Sequence, residues 1–129
     1  MATNIKKIGT DFEREFCRIL ADKGYWVHFI SPDKTGAQPF DIIAVKDNKP
    51  YVFDCKTCEA DTFNISRLED NQIMAFEKWL KCGNSQPMIA IKHNSEIRLL
   101  WYEDLKAVKS IKISKLMRFS VIGLRKGSE

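Results

Sequence analysis

Apolar positions recur at two different spacings along this chain. Phe12, Phe16, Ile19 and Leu20 fall three or four residues apart, which lines one face of a helix, and Lys23-Gly24 behind them is a stop signal. Ahead of this stripe, Thr10-Asp11-Phe12-Glu13 has the form of a capping box. A first helix is therefore expected over residues 10–23. Residues 1–9, with Lys6 and Lys7, read as a flexible basic lead-in.

From Tyr25 onward the spacing changes. Residues 25–30, 40–45 and 51–53 are short runs of β-branched and aromatic side chains, the mark of strands, and the Asn/Pro cluster of residues 46–50 suits a hairpin turn between the second and third. Residues 59–65 read as a loop. Ser66-Arg67-Leu68-Glu69 is a second capping-box pattern, opening a helix whose stripe is Leu68, Ala75, Phe76 and Trp79. Two further strands, residues 88–92 and 97–102, flank the turn His93-Asn94-Ser95-Glu96. A short helix over 103–108 and a last strand over 119–124 complete the expected elements.

There is no internal repeat, low-complexity tract or linker, so residues 1–129 are expected to form one domain, with basic ends at 1–9 and 124–129 free to be flexible. A chain of this length buries roughly two thirds of its unfolded surface, enough for a core without staples. The apolar runs are too short to span a bilayer and the N-terminus has no secretory pattern, so a soluble cytoplasmic protein without a membrane partner is expected. Four cysteines at irregular spacings fit reduced thiols better than a disulfide framework. Cys55-Lys56-Thr57-Cys58 is a lone CxxC with no second ligand pair for zinc.

Net charge is +4, and its distribution says more than its size. Lys106, Lys109, Lys112, Lys115, Arg118, Arg125 and Lys126 follow one another without an intervening acid. Such a run faces a polyanion or simply solvates a surface.

The candidate chemistry sits in the strands. Alternation puts Val52, Asp54 and Lys56 on one face of the third strand and Tyr51, Phe53, Cys55 and Thr57 on the other. If the second strand pairs with it, Asp41 reaches the same end of the sheet. Two carboxylates and an ammonium then surround one point. Hard oxygen ligands of this kind suit Mg²⁺ or Mn²⁺; the plain alternative is a surface ion pair of Asp54 with Lys56 or Lys46.

Glu13 either bonds back to its own helix start or faces the same cluster. Gln72, in the middle of the second helical stripe, needs a polar partner: either a backbone or core hydroxyl, or the acidic cluster itself. Lys34, in the polar loop of residues 31–38 that leads into Asp41, is placed to meet a phosphate.

Pro39-Phe40-Asp41 followed by Asp54-Cys55-Lys56 resembles the PD-(D/E)XK nuclease superfamily, with the proline displaced by one residue. Gly9-Thr10-Asp11-Phe12-Glu13-Arg14, Phe53-Asp54-Cys55-Lys56-Thr57 and Thr62-Phe63-Asn64 through Asn71-Gln72 extend the likeness to Holliday-junction resolvases of the RecU type, found in Gram-positive bacteria and their phages. Pro39-Phe40-Asp41-Ile42-Ile43-Ala44 is similar to the archaeal junction resolvases as well. The RecU family usually has glutamate where this chain has Asp54.

The resemblance implies an α/β fold, a restriction-endonuclease-like core with a central mixed sheet flanked by helices. It also implies a structure-selective, Mg²⁺-dependent endodeoxyribonuclease (Mn²⁺ substituting) acting on four-way DNA junctions, as a homodimer, in the cytoplasm, that of the bacterial host if phage-encoded. Asp41, Asp54, the Cys55 backbone carbonyl and Glu13 would then serve the metal, with Lys56 and Gln72 assisting catalysis. DNA contacts would come from Lys6, Lys7, Lys34, Arg67, Lys112, Lys115 and Arg118. A restriction-like or repair endonuclease of the same superfamily, and a DNA-binding module without catalysis, stay open as alternatives.

Overall fold

The computed structural model describes residues 5–30, 38–116 and 118–119, with side chains from residue 11 onward. A five-stranded sheet forms its centre, in the order β1-β2-β3-β5-β6, made of β1 (Trp26–Phe29), β2 (Ile42–Lys46), β3 (Lys49–Thr57), β5 (Met88–His93) and β6 (Glu96–Trp101). Only β3 and β5 run parallel; the other neighbours are antiparallel. The parallel step needs a crossover. It is supplied by β4 (Thr62–Asn64), a short 3-10 turn and helix α2 (Asp70–Lys81). This mixed α/β architecture agrees with the expected sheet flanked by helices.

Each face of the sheet is closed by one helix. Phe12, Phe16 and Leu20 of α1 (Ile5–Asp22) are buried with Ile42, Ala44, Phe53, Met88 and Ala90 on one side. On the other, Phe76 of α2 packs with Val52, Ile89, Ile91, Phe63, Tyr102 and Leu105. Phe53 and Val52 thus point to opposite helices, as strand alternation requires. The same alternation separates the CxxC pair: Cys55 borders the α1 core and Cys58 belongs to the α2 core.

Two local devices fix the end of the sheet opposite to Asp41 and Asp54. Helix α1 ends in a Schellman motif: Tyr25 N–H bonds the Leu20 carbonyl at 3.1 Å and Gly24 N–H the Ala21 carbonyl at 3.0 Å, with Gly24 at φ +96°. Lys46 of β2 then donates to the Lys23 carbonyl at 2.7 Å, tying the helix end to the sheet. The β2–β3 hairpin turns on Asp47 and Asn48, both at positive φ, the conformation whose twist matches the strands it joins.

Several sequence expectations shift. Helix α1 begins at Ile5, so residues 5–9 are helical and not a loose lead-in, and Thr10 lies within the helix and not at its start. Ile5 and Ile8 continue the spacing of Phe12, and that extension outweighs a mid-helix Gly9, which costs about 1 kcal/mol. Ser66–Glu69 does not open α2. Residues 65–67 form the 3-10 turn, capped by the Asn64 side chain, and Glu69 is the residue that caps α2.

The expected loop over 59–65 contains β4, which pairs with β7 (Ser110–Lys112) in a second, two-stranded sheet after α3 (Tyr102–Val108). Of the expected strand over 119–124, Phe119 is buried against Phe16, with ring centroids 5.2 Å apart; residues 120–124 lie outside the described residues, as does Lys34. No helix among the described residues is long and apolar enough to cross a membrane.

Phe16 is fully buried and meets the rings of Phe53 and Phe119 edge-on. Phe16→Ala should lower unfolding free energy by about 3 to 5 kcal/mol. Urea denaturation followed by circular dichroism checks this; a loss below about 1 kcal/mol would mean that α1 does not seal that face.

Candidate active site

Strand β3 runs through the middle of the sheet and carries Asp54 into its interior. The residue is 0% exposed. Its Oδ1 accepts a hydrogen bond from Gln72 Nε2 at 2.6 Å, and its Oδ2 lies 3.3 Å from Lys56 Nζ. That ammonium is at ion-pair distance without hydrogen-bond alignment, so Oδ2 is a buried oxygen with no hydrogen-bond partner. Leaving a buried oxygen in this state costs about 1 to 3 kcal/mol, which a bound ligand would offset.

Asp41 enters from the neighbouring strand. The β2–β3 ladder ends at the Ile42–Phe53 pair, which Asp41 directly precedes. Its N–H bonds the Phe53 carbonyl and its own carbonyl accepts from Ile30 N–H, both at 2.9 Å. The buried carboxylate turns toward β3, where Oδ2 accepts the N–H of Cys55 at 2.8 Å. That N–H sits between Asp54 and Lys56 in the chain, so the three side chains share one spot on the sheet.

Glu13 approaches from α1. It is half-buried, and its pKa is pushed up to about 7 by burial first and then by the charge of Asp41, with Lys56 and Arg14 pulling the other way. Asp54 is raised well above the usual carboxylate range, chiefly by burial; Lys56 opposes this and Asp41 adds to it. The Cys55 thiol is raised for the same first reason, with Asp41, Asp54 and Glu13 contributing.

Gln72 holds the site to α2 through both ends of its amide. Oε1 accepts the backbone N–H of Glu69 at the helix start at 2.9 Å, which leaves the NH₂ group for Asp54. Both readings of this residue are therefore realised at once: a backbone partner and the acidic cluster. Arg67, just before α2, donates to the Thr57 carbonyl at 3.0 Å and lies over the Phe63 ring. It stands exposed beside the end of β3.

The remaining basic residues do not converge on this point. Lys112 and Lys115 are exposed on β7 and the turn after it, and Arg118 pairs with Glu96 at 3.1 Å. The side chains of Lys6 and Lys7 lie outside the described residues. Two contributors had no sequence signal. The Cys55 N–H is a backbone group, and Arg14 reveals itself only by its charge on Glu13 and its place over Phe29.

Among the described residues, no three His, Cys, Asp or Glu side chains cluster closely enough to hold a metal on their own. Two carboxylates, one of them with an unsatisfied oxygen, still fit a magnesium-like ion, which keeps several waters and takes one or two protein carboxylates.

Comparisons with known proteins follow the same lines. A family model described as "Archaeal holliday junction resolvase (hjc)" matches residues 4–126. The Crossover junction endodeoxyribonuclease Hjc of Methanocaldococcus jannaschii is 29% identical over 89 residues, which is 69% of this chain and 62% of that protein. The structure of Archaeoglobus fulgidus Hjc, a Holliday junction resolvase from an archaeal hyperthermophile, superposes with a TM-score of 0.63 at 17% identity, covering 81% of this chain and 86% of that one. The likeness in fold is thus to the archaeal resolvases, which the sequence resembled alongside the RecU type.

Because the folded protein holds the Asp54 proton more tightly than the unfolded chain does, this group favours folding below the ordinary carboxylate pKa, and the benefit is lost as pH rises through the raised value. With chelator present, Asp54→Asn should therefore gain stability relative to wild type as pH rises and lose that advantage as pH falls. Thermal unfolding over a pH series checks it, and a difference between the two proteins that does not change with pH would contradict a raised Asp54 pKa.

Proposed function

The chain belongs to the archaeal Holliday junction resolvase family, and from that premise we propose that it is a metal-dependent endodeoxyribonuclease that resolves four-way DNA junctions by paired phosphodiester hydrolysis. The observation that carries this reading is the buried, half-satisfied Asp54 carboxylate beside Lys56, with the Asp41 carboxylate bound to the adjoining Cys55 N–H.

Asp41 and Asp54, with the backbone carbonyl of Cys55, would hold Mg²⁺, for which Mn²⁺ can substitute; the bound ion supplies Lewis acidity toward a phosphate oxygen and a more acidic water. The protein groups do the rest. Gln72 fixes Asp54 through Oδ1 and so keeps Oδ2 directed at the ion's place. Lys56 has three donors, so beside its ion pair with Asp54 it orients an attacking water or offsets charge developing on the phosphate. Glu13, within the field of Asp41 and Lys56, would serve from the α1 side as an outer ligand to the ion or its water.

A four-way junction presents two equivalent strands for cutting, so productive resolution takes two sites, and a two-fold homodimer is the simplest way to supply them. Arg67, with Lys34, Lys6, Lys7, Lys112, Lys115 and Arg118, contributes phosphate contacts whose strength falls steeply with salt. A protein of this kind works in the cytoplasm.

The reading is tested on a labelled junction and a matched duplex, with and without Mg²⁺. Wild type should nick paired strands across the branch only with the cation. Asp54→Asn and Lys56→Ala should each lose about a hundredfold or more in rate while still binding junctions, and Gln72→Ala about ten- to a hundredfold. Undiminished cutting by Asp54→Asn would sink the site assignment; equal cutting of duplex and junction would replace the resolvase by a general endonuclease.

A further inference from the structure

Trp26 is an aromatic residue that the fold leaves outside. It is 62% exposed on β1, the edge strand, while its strand neighbours Val27 and Phe29 pack toward the α1 core. Full burial of a large apolar side chain is worth about 1.5 to 3 kcal/mol, and none of that is realised here. His28, two residues on, lies beside it with ring centroids 6.2 Å apart and planes within 10° of parallel. The two rings form one exposed π surface.

That surface leads to the active site. Alternation puts Trp26, His28 and Ile30 on one face of β1, and Ile30 packs in the α2 core and donates its N–H to the Asp41 carbonyl at 2.9 Å. Across the sheet, His28 pairs with Ile43 and Ile43 with Val52, which shares its face with Asp54 and Lys56. At about 3.3 Å per residue, His28 stands roughly 7 Å and Trp26 roughly 13 Å along the strand from the Asp41 level. Those distances correspond to about two to four nucleotides of a stacked strand. With the inter-strand steps of about 4.8 Å from β1 to Asp41 and Asp54 included, a strand seated at those acids would bring nucleotides about two to five positions away to these rings.

A second protein chain is a poor occupant. Trp26 is the one exposed large hydrophobic on β1 among the described residues, Met74 and Val108 standing on α2 and α3, whereas a stable interface uses about 800 Å² on each partner. A continuous duplex is no better, since its bases already cover one another. A base at a branch point or an unpaired end offers a bare face, and aromatic stacking accepts any such base.

We infer that Trp26 and His28 form a stacking platform for a nucleobase that has lost a stacking neighbour at the branch of the substrate, giving selectivity for branched over continuous DNA. This rests on the junction-nuclease reading above.

The test compares wild type, Trp26→Ala and Trp26→Phe without divalent cation, by fluorescence anisotropy on a four-way junction and a continuous duplex of equal length. A second junction carries 2-aminopurine at the branch. Trp26→Ala should weaken junction binding by about 5- to 150-fold, the range of one lost base–aromatic stack, and leave duplex binding within about twofold of wild type. Trp26→Phe should recover most of the loss. The 2-aminopurine signal should be quenched by wild type and Trp26→Phe but not by Trp26→Ala.

Equal losses on both DNAs, undiminished junction binding by Trp26→Ala, or wild-type binding that does not distinguish the two DNAs would overturn the platform. So would a junction-binding loss that coincides with dissociation of an oligomer in light scattering, which would make this face a subunit contact. Nicking is measured separately with Mg²⁺: its absence in wild type defeats the nuclease reading and leaves the stacking result readable.

Discussion

The carboxylate of Asp54 is placed where a charge is least comfortable, on a central strand with no exposure to water. Everything around it moderates that discomfort without removing it. Gln72 satisfies one oxygen, Lys56 stands near the other without a full hydrogen bond, and Asp41 adds repulsion from the next strand. A fold optimised for stability alone would put an apolar side chain there, as it does at Val52 and Ile89 beside it. The strain is tolerable because Phe16, Phe53, Phe76 and their neighbours close both faces of the sheet independently of it.

The crossover between β3 and β5 is what gives the site its second wall. A parallel step forces the chain out of the sheet and back, and α2 returns across the face that Asp54 occupies. Its first turn therefore lies against the carboxylate. The Glu69 N–H, one of the donors left open at any helix start, is used to orient Gln72, so that a generic feature of helix ends sets which end of an amide meets the acid. Helix α1 plays the matching role on the other face, where its early start leaves Glu13 inside the helix instead of at its cap.

How much of this could be read from the sequence follows from the range of each interaction. Periods of two and of three to four residues are local, and they gave β1, β2, β3, the β5–β6 hairpin, the α1 stripe and the opposite facing of Phe53 and Asp54. The Asp47-Asn48 turn was legible as a polar cluster, though its placement was blurred by Pro50, which proved to be a strand residue paired with Val45. Strands β4 and β7 were not legible, because Phe63 finds its partner Ile111 far along the chain and neither segment alternates long enough to announce itself. The α2 start was misplaced because Ser66 and Glu69 match a capping pattern by type, while the backbone spends those residues on a 3-10 turn. At the site, Asp41, Asp54 and Lys56 were legible as side chains, whereas the Cys55 N–H, a backbone contribution, was not.

Asp54 itself carries the last consequence. Of the two acids that the PD-(D/E)XK pattern admits at this place, this chain has the one with a side chain a methylene shorter, with one fewer rotatable bond to immobilise. A shorter acid cannot reach out to find its ligand; its carboxylate goes where the strand puts it. The position is then set by the β2–β3 register, by the Asp41 contact to Cys55 and by the short Gln72 bond from α2, all of them attached to rigid elements. What is lost in reach is recovered as placement: the Cys55 N–H ties the Asp41 carboxylate to the strand that carries Asp54, and the helix that brings Gln72 supplies the remaining restraint. On this argument Gln72 matters more here than it would beside a glutamate, since no extra torsion is available to correct an error of the backbone.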